Sequence, residues 1–283
     1  MLRTIREGNA MYTQLTVGDI KGNKVLSQVW DLVCNAHAGQ KRKGLDKKAE
    51  HLEYVTHPFR AMEIVANALG NPKDVLRDKK YTPILAASLA HDTIEDTSLN
   101  TKEKLAAALD PIMGMYNARK TASLVQELSN PPEGFPGKTQ QESDEAKKVW
   151  QSEHAKTMSI DAKIIKMADQ IANTIDCVDV FMLKLNEKGE YEPSWTTEKK
   201  ISYVEKASSV CDACMVGTEK STPSEKEAFE RLLYFENKAY NYAYLKIENP
   251  ILCSREFFNE LDGSRKAPSL SFALRQAKIR NSR

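Results

Sequence analysis

The chain lacks any apolar run long enough to span a bilayer, so no membrane association is expected. Its first residues, Met1-Leu2-Arg3-Thr4-Ile5-Arg6-Glu7, have no apolar core of the secretory kind. Cysteine is scarce and odd in number, five in 283 residues, and widely spread. That argues against a disulfide framework and suits a reducing compartment. A net charge of only +2 argues against a general nucleic-acid binder. No strand-rich stretch and no internal repeat is evident. These absences lead to an expectation of a cytoplasmic protein. What is present supports a globular core: 41% of residues are hydrophobic and 28% charged. The length suits one large domain or two small ones.

The first twenty or so residues show no clear period and read as an irregular arm. From Lys24 the pattern turns helical, with Val25, Val29, Leu32, Val33 and Ala36 in one stripe and Gly39 as a stop. Gln40-Lys41-Arg42-Lys43-Gly44 and Lys47-Lys48 then form a basic loop. Such a run is often only solvated; the functional alternative is a phosphate clamp, for which the forked guanidinium of Arg42 is best suited. His57-Pro58 opens a second helix that Gly70 ends. Thr82-Pro83 starts a third, which runs through the apolar Ile84-Leu85-Ala86-Ala87-Ser88-Leu89-Ala90 into His91-Asp92-Thr93-Ile94-Glu95-Asp96. Asn100 and Glu103 are spaced as a capping box. Pro131 to Gly137 is a loop, either a lid or an inert connection. A long helix is expected from about Ile160 to Leu183, followed by a turn at Glu187-Lys188-Gly189-Glu190. Further helices are expected over Thr196–Met215 and Ser224–Tyr244, the latter opened by Ser224 and Glu227. A short helical piece through Phe257-Phe258 and a basic tail from Ser264 to Arg283 follow. Cys211 and Cys214 lie inside a helical pattern with no second pair, so neither zinc nor redox chemistry is expected of them.

Chemistry concentrates at His91-Asp92 and Glu95-Asp96, four groups able to bind metal or move protons, directly after a buried-looking segment. Burying charge without a partner is costly, and a metal ion is the simplest partner. His91 and Glu95 share a helix face, as do Asp92 and Asp96. His57, at a helix mouth, and Asp169, beside the stripe Ile164, Ile165, Ala168, Ile171, Ala172 and Ile175, complete a candidate ligand set. Asn173 and Asp176 continue the line of Asp169. His57, His91, Asp92 and Asp169 offer nitrogen and oxygen but no sulfur, which suits Mn²⁺ or Fe²⁺ at least as well as Zn²⁺. Glu95 or Asp96 would take the proton of an attacking water, and Arg42 and Lys43 would neutralise phosphates. The chemistry assembled is phosphoester hydrolysis.

The stretches Ala36-His37-Ala38-Gly39-Gln40-Lys41-Arg42-Lys43, Tyr54-Val55-Thr56-His57-Pro58, Ala86 to Thr97 and Lys163 to Asn173 together resemble the HD superfamily of metal phosphohydrolases. More narrowly, they resemble the (p)ppGpp hydrolase branch of the RelA/SpoT homologues, in the small, synthetase-free Mesh1-like form. The resemblance implies an all-α HD-domain helical bundle and a bound Mn²⁺. It implies removal of the 3′-pyrophosphate of ppGpp to leave GDP. It implies His57, His91, Asp92 and Asp169 as metal ligands, Glu95 and Asp96 as the groups preparing water, and Arg42, Lys43, Tyr54 and Asn173 as nucleotide contacts. It divides the chain into an arm over 1–23, a hydrolase domain over 24–236 and a helical C-terminal extension over 237–283 with no assigned role. Three positions depart from the family pattern: Gln170 where Lys or Arg is common, Ile175 where Arg is usual, and Leu128-Ser129-Asn130 where a Val-Thr-Lys-like stretch stands. The metal set is intact and the phosphate-holding shell is thinner. NADPH 2′-phosphate, ppApp or a deoxynucleotide are alternative substrates, and a metal-stabilised nucleotide sensor is the alternative outside enzymes. Homo-oligomerisation is left open.

Overall fold

The computed structural model describes residues 12–45, 51–179 and 183–248. Lys47-Lys48, the Phe257-Phe258 piece and the basic tail lie outside the described residues. Twelve α-helices make up most of the described structure, in keeping with the expected all-α class. The helices that build the centre are α2 (Lys24–Ala36), α3 (Thr56–Leu69), α5 (Thr82–Ala90), α8 (Met115–Leu128) and α10 (Ile160–Asp179). Around them stand α1 (Val17–Lys21), α4 (Pro72–Arg77), α6 (Thr93–Asp96), α7 (Lys102–Met113), α9 (Gln140–Thr157), α11 (Thr197–Cys214) and α12 (Pro223–Glu248). None of the described helices is long and apolar enough to cross a membrane.

α10 is the axis of the bundle and packs against α3, α5, α8, α11 and α12. Its sequence explains the position: sixteen of its residues are buried, among them four that carry charge in ordinary water, Lys163, Lys166, Asp169 and Asp176. A helix buried nearly all round must find partners for its polar groups, which is why the chemistry gathers along it. α5 is more extreme, with all nine residues buried. Its lack of a polar face lets it fit between α2, α3 and α8.

Several expectations shift on inspection. The irregular arm contains α1, opened by a capping box between Thr16 and Asp19, and Tyr12, Leu15 and Ile20 are buried in the core. The helix expected to carry the whole His91–Asp96 motif breaks at His91-Asp92 and resumes as the single turn α6. α10 ends at Asp179, and Leu183 belongs to a strand. The turn at Glu187–Glu190 closes a small antiparallel hairpin, β1 (Leu183–Leu185) with β2 (Tyr191–Pro193). Three residues per strand are too few to display a period in sequence. The N-cap of α7 is Thr101, not Asn100, and Thr222 with Glu225 caps α12, not Ser224 with Glu227. Pro223 decides the latter, since proline favours the first helical position. Gly114, at φ 77°, lets the chain turn between α7 and α8 in a conformation that a side chain would strain. α9 was not anticipated, and α12 runs unbroken across 236–237.

Candidate active site

Three central helices deliver the ligand-capable groups to one point. His57 stands in the first turn of α3, His91 and Asp92 at the break after α5, and Asp169 halfway along α10. His57 Nε2 lies 3.2 Å from Asp169 Oδ1 and 3.9 Å from Asp92 Oδ2. His91 Nε2 lies 3.2 Å from Asp92 Oδ2 and 3.7 Å from Asp169 Oδ1. The imidazole centroids are 5.2 Å apart. Ligand atoms of His57, His91 and Asp92 all fall within 4.8 Å of one another, as a shared cation requires.

The orientation of His91 tests the fit to a metal. Its Nδ1 lies 2.8 Å from the Ser88 carbonyl oxygen, which can only accept, so Nδ1 carries the proton. In the neutral ring that leaves a lone pair on Nε2, which is buried, makes no hydrogen bond and points into the cluster. Burial pushes the His91 pKa down, but Asp92, Asp169 and the Ser88 carbonyl push it further up, to about 9. Burial works against the Asp92 carboxylate, yet His91 and His57 hold its pKa well below the ordinary range. Burial likewise opposes charge on Asp169, and Lys166 with the two imidazoles lowers its carboxyl despite it. The pocket therefore favours two ionised carboxylates and attracts positive charge to the imidazoles. A divalent cation is a natural replacement for those protons.

A second layer holds these groups. His57 Nδ1 sits 3.3 Å from Asp176 Oδ2, and Asp176 is also paired with Arg42, at 2.7 Å, and with Arg60. A carboxylate behind a ligating imidazole fixes the ring and raises its basicity. Burial alone would raise the Asp176 pKa; Arg60, His57 and Arg42 together drive it well below the ordinary range. Asp169 receives Asn173 Nδ2 on Oδ1 at 2.6 Å, and Gln170 Nε2 and Lys166 Nζ on Oδ2 at 2.8 and 3.1 Å. Gln170, a departure from the family pattern, thus orients the carboxylate in this chain.

The remaining sequence candidates line the same cavity, of about 1200 Å³. The Tyr54 hydroxyl lies 2.6 Å from Asp92 Oδ2 and 2.9 Å from Asp96 Oδ2, and its single proton serves one of them at a time. The His37 ring stacks on Tyr54 at 4.8 Å. Lys43 is exposed and lines the cavity. Arg42 is buried rather than solvated, because backbone bonds from Arg42 to Leu52 and from Leu45 to Leu183 pin the basic loop, and Asp176 draws the guanidinium inward. Glu95 is held by Asn130, whose backbone N–H and side-chain amide donate to its two oxygens at 2.8 and 2.5 Å. Burial, then Asp92, raise the Glu95 pKa, and the Asn130 bonds restrain the rise.

Sequence reasoning brought His57, His91, Asp92 and Asp169 together, as the structure does. It left Asp176 as a point on a polar line and Asn130 as a departure from pattern. A buried acid seven residues after Asp169, two helical turns along one face, was the available signal for Asp176. Nothing in the sequence marks the Asn130 contact.

No family model matches the chain. It is 26% identical over 186 residues to a curated Danio rerio protein named guanosine-3′,5′-bis(diphosphate) 3′-pyrophosphohydrolase MESH1, covering 66% of this chain and 82% of that protein. It is 28% identical over 140 residues to the Xenopus tropicalis protein of the same name, covering 50% of this chain and 62% of that protein. A solved structure, described as a metazoan SpoT orthologue that hydrolyses ppGpp, aligns with a TM-score of 0.47 at 20% identity, over 78% of this chain and 97% of that one. The chain that carries this cluster is, over 66% of its length, similar in sequence to a MESH1 pyrophosphohydrolase.

Proposed function

We propose that the protein is a metal-dependent phosphohydrolase that removes the 3′-pyrophosphate of (p)ppGpp-type alarmones, leaving GDP or GTP and pyrophosphate. The observation that carries this reading is the convergence of two imidazoles and two carboxylates beside a lysine-rich cavity of about 1200 Å³. The names of the curated relatives supply the substrate.

His57 and His91 through Nε2, with Asp92 and Asp169, would hold the ion. The sulfur-free donor set suits Mn²⁺ or Fe²⁺ at least as well as Zn²⁺, and Mn²⁺ is the ion that the resemblance implies. Bound there, a divalent ion supplies Lewis acidity to a phosphoryl oxygen and to the attacking water. Glu95, held in place by Asn130, accepts the water's proton. Asp96 stands one residue on and is tied through Tyr54 to Asp92. The bond that breaks joins the ribose 3′-oxygen to phosphorus; hydroxide ends on phosphorus and a proton on the 3′-oxygen. Asp176 and Asn173 orient the cluster, Lys43 meets phosphate in the cavity, and Trp195 and Tyr203 offer aromatic faces to a base. Five widely spread cysteines suit a reducing compartment, and we place the protein in the cytoplasm.

Product analysis tests the reading. The purified protein is incubated with Mn²⁺ and, separately, with ppGpp, ppApp and NADPH. GDP and pyrophosphate from ppGpp, lost on chelation, are expected. Orthophosphate from NADPH alone would move the protein to a 2′-phosphatase. Binding of metal and nucleotide without turnover would make it a sensor.

A further inference from the structure

Glu95 lies open to the cavity, and a glutamate has several side-chain torsions to settle. Among the described residues its carboxylate accepts hydrogen bonds from Asn130 alone, from the backbone N–H and from Nδ2. Separate features fix those two donors. Pro131 follows Asn130, and a residue before proline is steered to extended backbone, which presets the N–H. The side chain is set by Gln151 on α9, whose Nε2 donates to Asn130 Oδ1 at 3.2 Å. The polarity of this chain has one solution. An ionised carboxylate only accepts, so Asn130 must turn its amide nitrogen to Glu95 and its oxygen to Gln151, and Gln151 must present its own nitrogen. Gln151 is only 8% exposed, and its Oε1 is buried with no hydrogen bond among the described residues. An apolar side chain of that size would fill the place without burying an unmatched oxygen, so packing does not explain an amide there. The bond to Asn130 does. The same face of α9 grips the chain on both sides of Asn130. His154 Nε2 donates to the Glu127 carbonyl at 2.8 Å, and the Trp150 ring meets Phe135 edge-on with centroids 5.6 Å apart.

We propose that Gln151 is a positioning residue for the hydrolysis: through Asn130 it holds the Glu95 carboxylate where the attacking water gives up its proton. This rests on the reading of Glu95 as the proton acceptor and adds the residue that keeps it in place. Gln151 touches neither the ion's ligands nor Glu95 itself; it fixes which end of the Asn130 amide Glu95 meets. Losing a group that orients a base lowers kcat and leaves KM, whereas losing a substrate contact raises KM. The bond is also directional. Gln151→Glu keeps the shape of the side chain but offers Asn130 only acceptors. It pulls Nδ2 away from Glu95 and turns Oδ1 toward a carboxylate, which repels it. Gln151→Met keeps the length and removes the bond without reversing it.

The test uses the full chain with Mn²⁺ and the variants Gln151→Met, Gln151→Glu, Asn130→Ala and the double variant Asn130→Ala with Gln151→Met. With ppGpp, Gln151→Met is expected to lower kcat roughly three- to tenfold, the scale of one neutral hydrogen bond, with KM nearly unchanged. Gln151→Glu should lower kcat further than Gln151→Met. In the Asn130→Ala background Gln151→Met should cost nothing more, because the route to Glu95 is already cut. A rise in KM at constant kcat would make Gln151 a substrate contact, and additive losses in the double variant would make its effect general packing. Either result overturns the proposal, as does an unchanged kcat in Gln151→Glu. The side-chain amide of Asn130 gives a readout that needs no turnover. Its proton signals in heteronuclear NMR spectra, assigned by their absence from Asn130→Ala, should shift and exchange faster with solvent in Gln151→Met. Unmoved signals overturn the proposal. If the parent does not hydrolyse ppGpp, the hydrolase reading falls, and the spectrum alone decides whether Gln151 holds Asn130.

Discussion

α5 and α9 serve one cavity and are opposites in makeup. All nine residues of α5 are buried, and the helix ends by handing His91 and Asp92 to the cluster. Only Gln151 and Ala155 of the eighteen residues of α9 are buried, and Val149 is 57% exposed. The difference separates two tasks. The side chains that converge on one point stand on or directly beside helices locked by packing. The lysines of α9 stand on a helix with one side in water. Precision is carried by burial, and the open surface can vary without disturbing it.

Four substitutions would break or sharpen that contrast. The largest effect is expected of Asp92→Ala: turnover should fall roughly 10³-fold or more, with loss of bound metal by elemental analysis. Full activity in this variant would remove the cluster from the chemistry. Glu95→Gln should lower kcat by about 10²–10⁴-fold and keep the metal, because the proposed mechanism makes Glu95 a proton acceptor and not a ligand. Metal loss in that variant would instead make Glu95 a ligand. Asp176→Asn should weaken metal affinity by about 10–100-fold, the usual effect of removing a carboxylate behind a ligating histidine. An unchanged metal titration would mean that Arg42 and Arg60, not His57, are what Asp176 serves. Least of all, Val149→Ser on the open face of α9 should change stability by no more than about 0.5 kcal/mol in denaturant unfolding. A cost of several kcal/mol would show that α9 is packed more firmly than its exposure allows.

What could be read from the sequence follows the same division. The α5 and α10 motifs announce themselves because charge directly beside an apolar run demands a partner. α9 escaped notice because Gln140-Gln141-Glu142-Ser143-Asp144-Glu145 shows no apolar period, and with it went Gln151. The capping box of Thr139 and Glu142 was the signal present, since it marks a helix start without needing an apolar stripe. The break at His91-Asp92 was invisible because a four-residue spacing fits one helix as well as two. Asp176 needed three-dimensional contacts with His57, Arg42 and Arg60 before its place behind the cluster could be recognised. Asn130 reaches Glu95 across 35 residues, a separation that no local pattern reports.

The unbroken course of α12 bears on how the protein can be handled. Ala239, Tyr242 and Ala243 are buried beyond residue 236, and the Tyr242 hydroxyl donates to Asp179 at 2.8 Å, at the last turn of the helix that carries Asp169. A protein trimmed at the edge of its sequence likeness would lose these side chains and open a seam along α10. Fusion partners, affinity tags and engineered cleavage sites therefore do not belong before the end of α12 at Glu248.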